Sequence, residues 1–402
     1  MDSARDRPPA HPVRVAHLLG RLGRGGGVQV VVRQLAHNVD RGAVELHLVS
    51  LRPMIASDHV DEVPIEFHGI APESDPFNPG SRPKAGLAVL RTLRNISPDV
   101  VQVHSGVAWL GVLASVFIRA PFVFESHDAP GSGRHSRVTD FLEGTWVRLR
   151  RVHVVCHSTS VSREVERRWR VPQERVVTFP LAAEVASLPA GYDRQTARER
   201  LGINDTDVVL VAVGRFVPSK QFDVALRALK QLRDRGLSVK LVLIGSGPEH
   251  DRLNELHDSL GVSPHVIMPG PLFDEDLASA LHACDILISS SAYEGFGLTL
   301  VEGMRAGLPV VATAVGGVTD IVLEGNTGFL VEDGDLESLV TAVGRLVENQ
   351  ELRQQFAKCG QARADALYNP IALAENFTNL YQRIAQSRSN RWRWPANDRT
   401  PG

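Results

Sequence analysis

Short apolar runs alternate with stretches of helical periodicity along almost the whole chain. Val13–Leu19 reads as a strand, followed by a glycine-rich turn and by Val28, Val31, Val32, Leu35 and Val39 at helical spacing. Strands are predicted at Val44–Leu51, Asp99–His104, Pro121–Ser126, Val152–His157 and Arg175–Phe179. Helices are predicted at Pro83–Ile96, Gly106–Ile118, about Arg137–Arg150, and Ser162–Arg170. The strands carry few polar residues, as strands do when a parallel sheet is covered by helices on both faces.

The pattern pauses over Pro180–Asp193, which holds two prolines, a glycine and several alanines without periodicity, and then restarts. Strands Asp207–Val213, Ser238–Ile244, His265–Met268, Asp285–Ser289 and Pro309–Ala312 interleave with helices Arg194–Leu201, Phe222–Arg235, Pro248–Leu260 and Leu298–Ala306. Helix Leu336–Val347 shows a stripe of Leu336, Leu339, Val340, Val343 and Val347. Two further helices, about Glu351–Leu367 and Pro370–Gln386, precede a polar tail. The expected organisation is a first doubly wound domain over 1–185, a second over 186–368, a helix over 369–387 crossing back to the first, and a disordered tail over 388–402. Two such domains facing across a cleft would bind ligands at the carboxyl ends of their strands.

Composition narrows the class. The chain has 402 residues, 43% of them hydrophobic and 22% charged, which suits a multi-domain globular protein. A formal charge of −2 argues against a dedicated nucleic-acid binder. The longest uncharged apolar run, Val107–Ile118, is far below the ~20 residues of a spanning helix. The three cysteines, Cys156, Cys284 and Cys359, lie far apart in no metal or disulfide pattern, and the N-terminus has no apolar signal core. A cytoplasmic protein is expected, with peripheral contact at the inner membrane face left open.

Candidate chemistry gathers at strand ends. Gly26 and Gly27 close a strand and open a helix, where backbone N–H groups can approach an anion; a plain strand-to-helix turn is an equal reading. The spacing is not the dinucleotide fingerprint, although Arg52 after the next strand keeps an NAD(P)-dependent reductase in view. In the second half, strand Val208–Val213 runs into Gly214–Lys220, so Arg215 and Lys220 stand beside a helix start and suit a diphosphate. Lys220 is one of only five lysines among 44 basic residues, which weakens the reading of an ordinary basic loop. Downstream, Tyr293-Glu294-Gly295-Phe296-Gly297-Leu298-Thr299 turns sharply into a helix whose first N–H groups are free for phosphate. Glu302, two turns along, suits the hydroxyls of a ribose, and Glu294 at the mouth suits a sugar on the diphosphate.

These motifs, with Gly307-Leu308-Pro309-Val310-Val311-Ala312-Thr313 and Gly316-Gly317, resemble family 4 of the retaining glycosyltransferases, over nearly the whole chain. The resemblance implies the α/β GT-B fold of two Rossmann-like domains. It also implies transfer of a sugar from a nucleotide-sugar to a hydroxyl of a glycan, lipid or small-molecule acceptor, with retention of configuration. Arg215 and Lys220 match the diphosphate pair, Glu294 the residue at the donor sugar, and Glu302 the ribose carboxylate. Phe296, Gly297, Leu298 and Thr299 fall where backbone meets the phosphates, and Met268 where the base is read. Val123-Phe124-Glu125-Ser126-His127 resembles the strand that ends in the family's active-site histidine, here His127, and His104-Ser105 lie on the acceptor side.

Two departures stand out: Pro180-Leu181-Ala182 where the family reads Pro-Asn-Gly, and Gln221 where a glycine follows the lysine. The family implies no cofactor and no metal, since positive groups and a helix terminus carry the charge of the leaving diphosphate. Asp205/Asp207, Asp274/Asp276 and Asp333/Asp335 read as turn formers or caps. UDP-linked donors are favoured by family frequency. A non-catalytic nucleotide-sugar or glycan-binding protein is the principal alternative. An arginine cluster at Arg148, Arg150, Arg151, Arg163, Arg167, Arg168 and Arg170 is interrupted by Glu164 and Glu166, so at most weak, salt-sensitive membrane contact is expected.

Overall fold

The computed structural model describes residues 11–20, 26–52, 65–70, 82–132, 137–183 and 193–386. It divides into two compact units, Met1–Leu181 with Pro370–Gly402, and Ala182–Asn369. The boundary expected at 185/186 and the tail 388–402 lie outside the described residues.

The first unit is built on seven parallel strands: β1 (Val13–Leu19), β2 (Val44–Ser50), β3 (Glu66–Gly69), β4 (Val100–His104), β5 (Phe122–Ser126), β6 (His153–Cys156) and β7 (Val176–Thr178), in the order β3-β2-β1-β4-β5-β6-β7. The helices α1 (Gly27–Asn38), α2 (Arg82–Ile96), α3 (Ala108–Phe117), α4 (Arg137–Leu149) and α5 (Thr159–Trp169) connect them. The order reverses between β1 and β4, which places the natural ligand crevice at the carboxyl ends of those strands. The last helix, α14 (Pro370–Gln386), packs on α1, β1 and β4 with Phe377, Leu380, Tyr381 and Ile384 fully buried.

The second unit carries six parallel strands in the order β10-β9-β8-β11-β12-β13. They are β8 (Val208–Val213), β9 (Val239–Ile244), β10 (Val266–Gly270), β11 (Ile286–Ser289), β12 (Val310–Thr313) and β13 (Gly328–Val331). Around them lie α6 (Arg194–Arg200), α7 (Phe222–Asp234), α8 (His250–Ser259), α9 (Asp274–Ala283), α10 (Leu298–Arg305), α11 (Val318–Ile321), α12 (Leu336–Glu348) and α13 (Gln350–Leu367). The switch point falls between β8 and β11. The strands β8, β9, β11 and β12 are buried at nearly every position, and α7 and α12 close the core with Leu226, Leu229, Leu232, Leu339, Val343 and Leu346. Two of the paired aspartates act as turn and cap residues. Asp335 accepts from the Ser338 N–H at 2.9 Å and caps α12, while Asp207 holds Ser238 and Lys240.

Two elements were not predicted as strands, β3 and β13. Each is four residues long and lies at a sheet edge; in β3 the missing neighbour relaxes the demand for an apolar run, whereas β13 is apolar but very short.

Candidate active site

At the carboxyl edge of the second sheet, β8 ends at Val213 and the chain passes through Arg215 to a single 3-10 turn, Pro218–Lys220, before α7 begins. The turn exits through Gln221, whose φ of 48° and ψ of 45° are left-handed. That conformation explains the glycine that the family places here: a non-glycine residue in this region costs about 1–2 kcal/mol. Lys220 points toward β11, and its Nζ forms an ion pair with a Glu294 carboxylate oxygen. Ser291 Oγ donates to the same oxygen at 3.0 Å. Lys220, Ser289, Ser290, Ser291 and Thr299 line one recess at the β8/β11 switch point. Arg215 is exposed beside it.

The turn after Glu294 needs its glycines. Gly297 adopts φ 109° and opens α10 with no side-chain cap, so the N–H groups of the first turn, from Leu298 and Thr299, have no intrahelical acceptor. Gly316 (φ 54°) lies against Glu294, where a Cβ would meet the carbonyl oxygen at 1.8 Å, and the next residue, Gly317, donates its N–H to that oxygen at 2.9 Å. The Gly316-Gly317 pair therefore fixes the backbone of the residue that holds Lys220. Glu302 sits on α10 with no cation paired to it among the described residues, and burial alone raises its pKa to about 7.

Two of the expected nucleotide residues also pack into the protein. The Phe296 ring is buried edge-on to Tyr368 at 5.8 Å, and the Met268 side chain packs on the core of the second sheet.

In the first unit, Gly26 caps α1 with φ 115°, and a Cβ on Gly27 would lie 3.3 Å from His127 Nδ1. The glycine turn and His127, far apart in sequence, thus meet at the sheet's carboxyl edge. The His127 backbone N–H donates to Ser105 Oγ at 3.3 Å, and Ser105 Oγ donates to the Glu125 carbonyl at 3.0 Å. Behind His127 lies a group that sequence reasoning left unassigned, the fully buried carboxylate of Glu125. His127 Nε2 lies 2.9 Å from Glu125 Oε1, and His104 Nδ1 lies 3.2 Å from Oε2. The Gln102 amide donates to Oε2, and His157 Nε2 donates to Oε1 at 3.0 Å. Burial on its own would raise the Glu125 pKa; His104, His127 and His157 outweigh it and hold the carboxyl well below the usual range.

His157 Nδ1 lies 2.8 Å from the Phe179 carbonyl and Nε2 lies 3.0 Å from Glu125 Oε1, so both of its nitrogens face acceptors. Burial lowers the His157 pKa, and the bond to Glu125 opposes that shift. The Tyr381 hydroxyl donates to Gln102 Oε1 at 2.6 Å and lies 3.3 Å from His17 Nε2, and His17 Nδ1 lies 3.1 Å from His104 Nε2. Burial pushes His17 down to about 3 and His104 to about 4, so both rings are neutral at pH 7. The His104 ring is fully buried, which corrects the expectation that it lines the acceptor side. It acts on the site through Glu125. One signal for Glu125 was present in the sequence: a lone charge inside an otherwise apolar strand is the informative exception.

The comparisons with known proteins meet this geometry in both units. Residues 25–186 match the family model described as Glycosyltransferase Family 4, and residues 193–363 the one described as Glycosyl transferases group 1. The chain belongs to the group 1, family 4 glycosyltransferases. It is 27% identical over 316 residues to an alpha-D-kanosaminyltransferase of Streptomyces kanamyceticus, covering 74% of this chain and 81% of the relative. A D-inositol 3-phosphate glycosyltransferase of Corynebacterium jeikeium is 28% identical over 408 residues, covering 93% and 96%. The fold matches that of Anabaena HepE, crystallised with UDP and glucose, with a TM-score of 0.79, 21% identity and coverage of 92% and 99%. The architecture is therefore GT-B and the protein is a glycosyltransferase enzyme using a nucleotide-sugar donor. With that, the reductase and non-catalytic readings end.

Proposed function

We propose that this glycosyltransferase moves a sugar from a UDP-linked donor to a hydroxyl of a small-molecule, glycan or lipid acceptor, with retention of configuration and without a metal ion. The observation that carries the reading is the Lys220–Glu294 pair beside the uncapped start of α10, at the switch point of the second sheet. Without donor, the pair neutralises two charges that are each largely withdrawn from water. A diphosphate competes for Lys220, adds Arg215 and the Leu298 and Thr299 N–H groups, and frees Glu294 to accept from hydroxyls of the donor sugar. The bond from the anomeric carbon to the diphosphate oxygen breaks as the acceptor oxygen approaches on the same face. The acceptor's proton passes to the departing oxygen. The enzyme's part is to position the reactants and oppose the charge that grows on the diphosphate. The first unit is assigned the acceptor, through Ser105, and the alignment of the transferred sugar, through His127. The UDP preference draws on HepE, solved with UDP, and the small acceptor on a relative named for D-inositol 3-phosphate.

A thermal-shift panel of UDP-, GDP- and ADP-sugars tests the donor class. A ligand at 100 times its dissociation constant stabilises by about 2.7 kcal/mol. UDP-sugars are expected to give the largest shift, and an equal shift from every base would remove the UDP assignment. Glu302 adds a pH signature. Ribose hydroxyls donate to its ionised form, so binding lowers its pKa from about 7 and releases a proton. UDP affinity should therefore rise between pH 6 and pH 8, with calorimetric heats that depend on the buffer's ionisation enthalpy. Neither effect should survive in Glu302→Gln.

For localisation, no described helix is long and apolar enough to cross a membrane. Helix α4 nonetheless exposes Val138, Phe141, Leu142 and Leu149, with Arg148, Arg150 and Arg151 at its end. An apolar stripe beside arginines is the composition of an interfacial helix. Weak liposome binding is expected at low salt, lost at physiological salt and reduced by Phe141→Ser; tight binding at physiological salt would point to a lipid acceptor.

A further inference from the structure

A second histidine cluster lies on the other face of the first sheet from Glu125. His17 is in register with Leu48, so its neighbour His47 points to the opposite side. His47 is in register with Glu66 of the edge strand β3, and His68, two residues on, shares that face. The three side chains converge: His47 Nδ1 is 3.3 Å from His68 Nε2 and 3.3 Å from Glu66 Oε2, and His68 Nε2 is 3.5 Å from Glu66 Oε1.

Those spacings have a chemical meaning. A tetrahedral zinc ion with bonds of about 2.0–2.1 Å holds its ligand atoms about 3.3–3.4 Å apart. The two imidazole nitrogens already stand at that spacing, and Glu66 offers one carboxylate oxygen to each of them, at 3.3 and 3.5 Å. A second, independent feature sits behind them. Glu45 Oε1 lies 3.3 Å from the far nitrogen of His47, Nε2, which is buried and makes no hydrogen bond among the described residues, so the carboxylate is within reach of it. A carboxylate on the second nitrogen of a ligating imidazole fixes its tautomer and raises its basicity, and is the usual companion of a zinc-bound histidine. The environment also grades correctly for entry of an ion. His47 is buried, His68 is partly exposed, and the Glu66 side chain is 59% exposed, which leaves a solvent side for a fourth, water ligand.

We propose that His47, His68 and Glu66, backed by Glu45, form a zinc site that ties β3 to β2. Two imidazoles and a carboxylate select a borderline transition cation over magnesium or calcium, which take oxygen ligands. The strand it would hold is four residues long and lies at the edge of its sheet. The site is separate from the transfer chemistry assigned to His127.

The test is a calorimetric titration of ZnCl2 into the untagged, metal-stripped full chain, with circular dichroism to establish that each variant is folded. One equivalent is expected to bind, unaffected by millimolar magnesium. His68→Ala should weaken binding by more than about 100-fold, and Glu45→Gln by about tenfold, the lower end for a residue behind the ligands. Cobalt should bind in place of zinc and show the absorption of a tetrahedral centre in the parent but not in His68→Ala. Absence of zinc binding to the parent would overturn the proposal. So would unchanged affinity in His68→Ala, or loss of binding in His127→Ala instead, which would move the ion to the Glu125 cluster.

Discussion

Replacing Arg215 or Lys220 by alanine is expected to lower the transfer rate by about 10²- to 10³-fold, the usual loss when one group that stabilises developing negative charge is removed. Arg215→Ala is the cleaner case. Its side chain is exposed and has no ion pair among the described residues, so the variant should melt with the parent. Lys220→Ala also strips Glu294 of its cation, and a modest drop in stability should accompany the loss of rate. Circular dichroism separates the two effects, and treatment with EDTA should leave the parent's transfer rate unchanged. An Arg215→Ala enzyme retaining more than a tenth of the parent rate, or a strict requirement for a divalent ion, would remove the charge assignment made here.

The largest effect on folding is expected at Glu125. Its carboxylate is the common partner of the buried Gln102, His104 and His157 and of the partly exposed His127. Glu125→Ala leaves a cavity and takes the acceptor from several buried donors, and each buried group left unsatisfied costs about 1–3 kcal/mol. Glu125→Gln keeps the volume but neither the charge nor the acceptors, so His127 loses the group that orients its ring. Glu125 is a positioning residue, and the two variants divide its roles. Chemical denaturation should find Glu125→Ala strongly destabilised. Steady-state kinetics on folded Glu125→Gln should find kcat reduced while UDP affinity, set by residues of the second unit, stays at the parent value. Parental stability and turnover in both variants would show that the cluster orients nothing.

Much of this was legible in the sequence where burial is two-sided. Val208–Val213 is apolar throughout, and Val13–Leu19 apart from Arg14 and His17, because both faces of their sheets are covered, and their ends mark the ligand edge. Lys220, Glu294 and Gly297 were legible because strand ends and helix starts concentrate positive potential at predictable places. The edge strand β3 was not, since Glu66, Phe67, His68 and Gly69 need satisfy only one neighbour and one core face. The Glu125 cluster was hidden for a different reason. Its members come from β1, β4, β5, the turn after β6, and α14, and no local pattern links residues so far apart. The left-handed Gln221 shows the converse: the departure from glycine was visible, but the backbone strain it carries needed the structure.

The central claim is that the second unit holds the nucleotide through Glu302 and its neighbours, while His127 of the first unit serves the transferred sugar. Calorimetric titration of UDP into the parent, His127→Ala and Glu302→Ala proteins tests it most directly, with turnover recorded on the same samples. UDP should bind His127→Ala about as well as the parent although turnover falls sharply, and should bind Glu302→Ala markedly more weakly. If His127→Ala lost UDP affinity as severely as Glu302→Ala, or kept the parent's turnover, the division of roles between the two units would be contradicted.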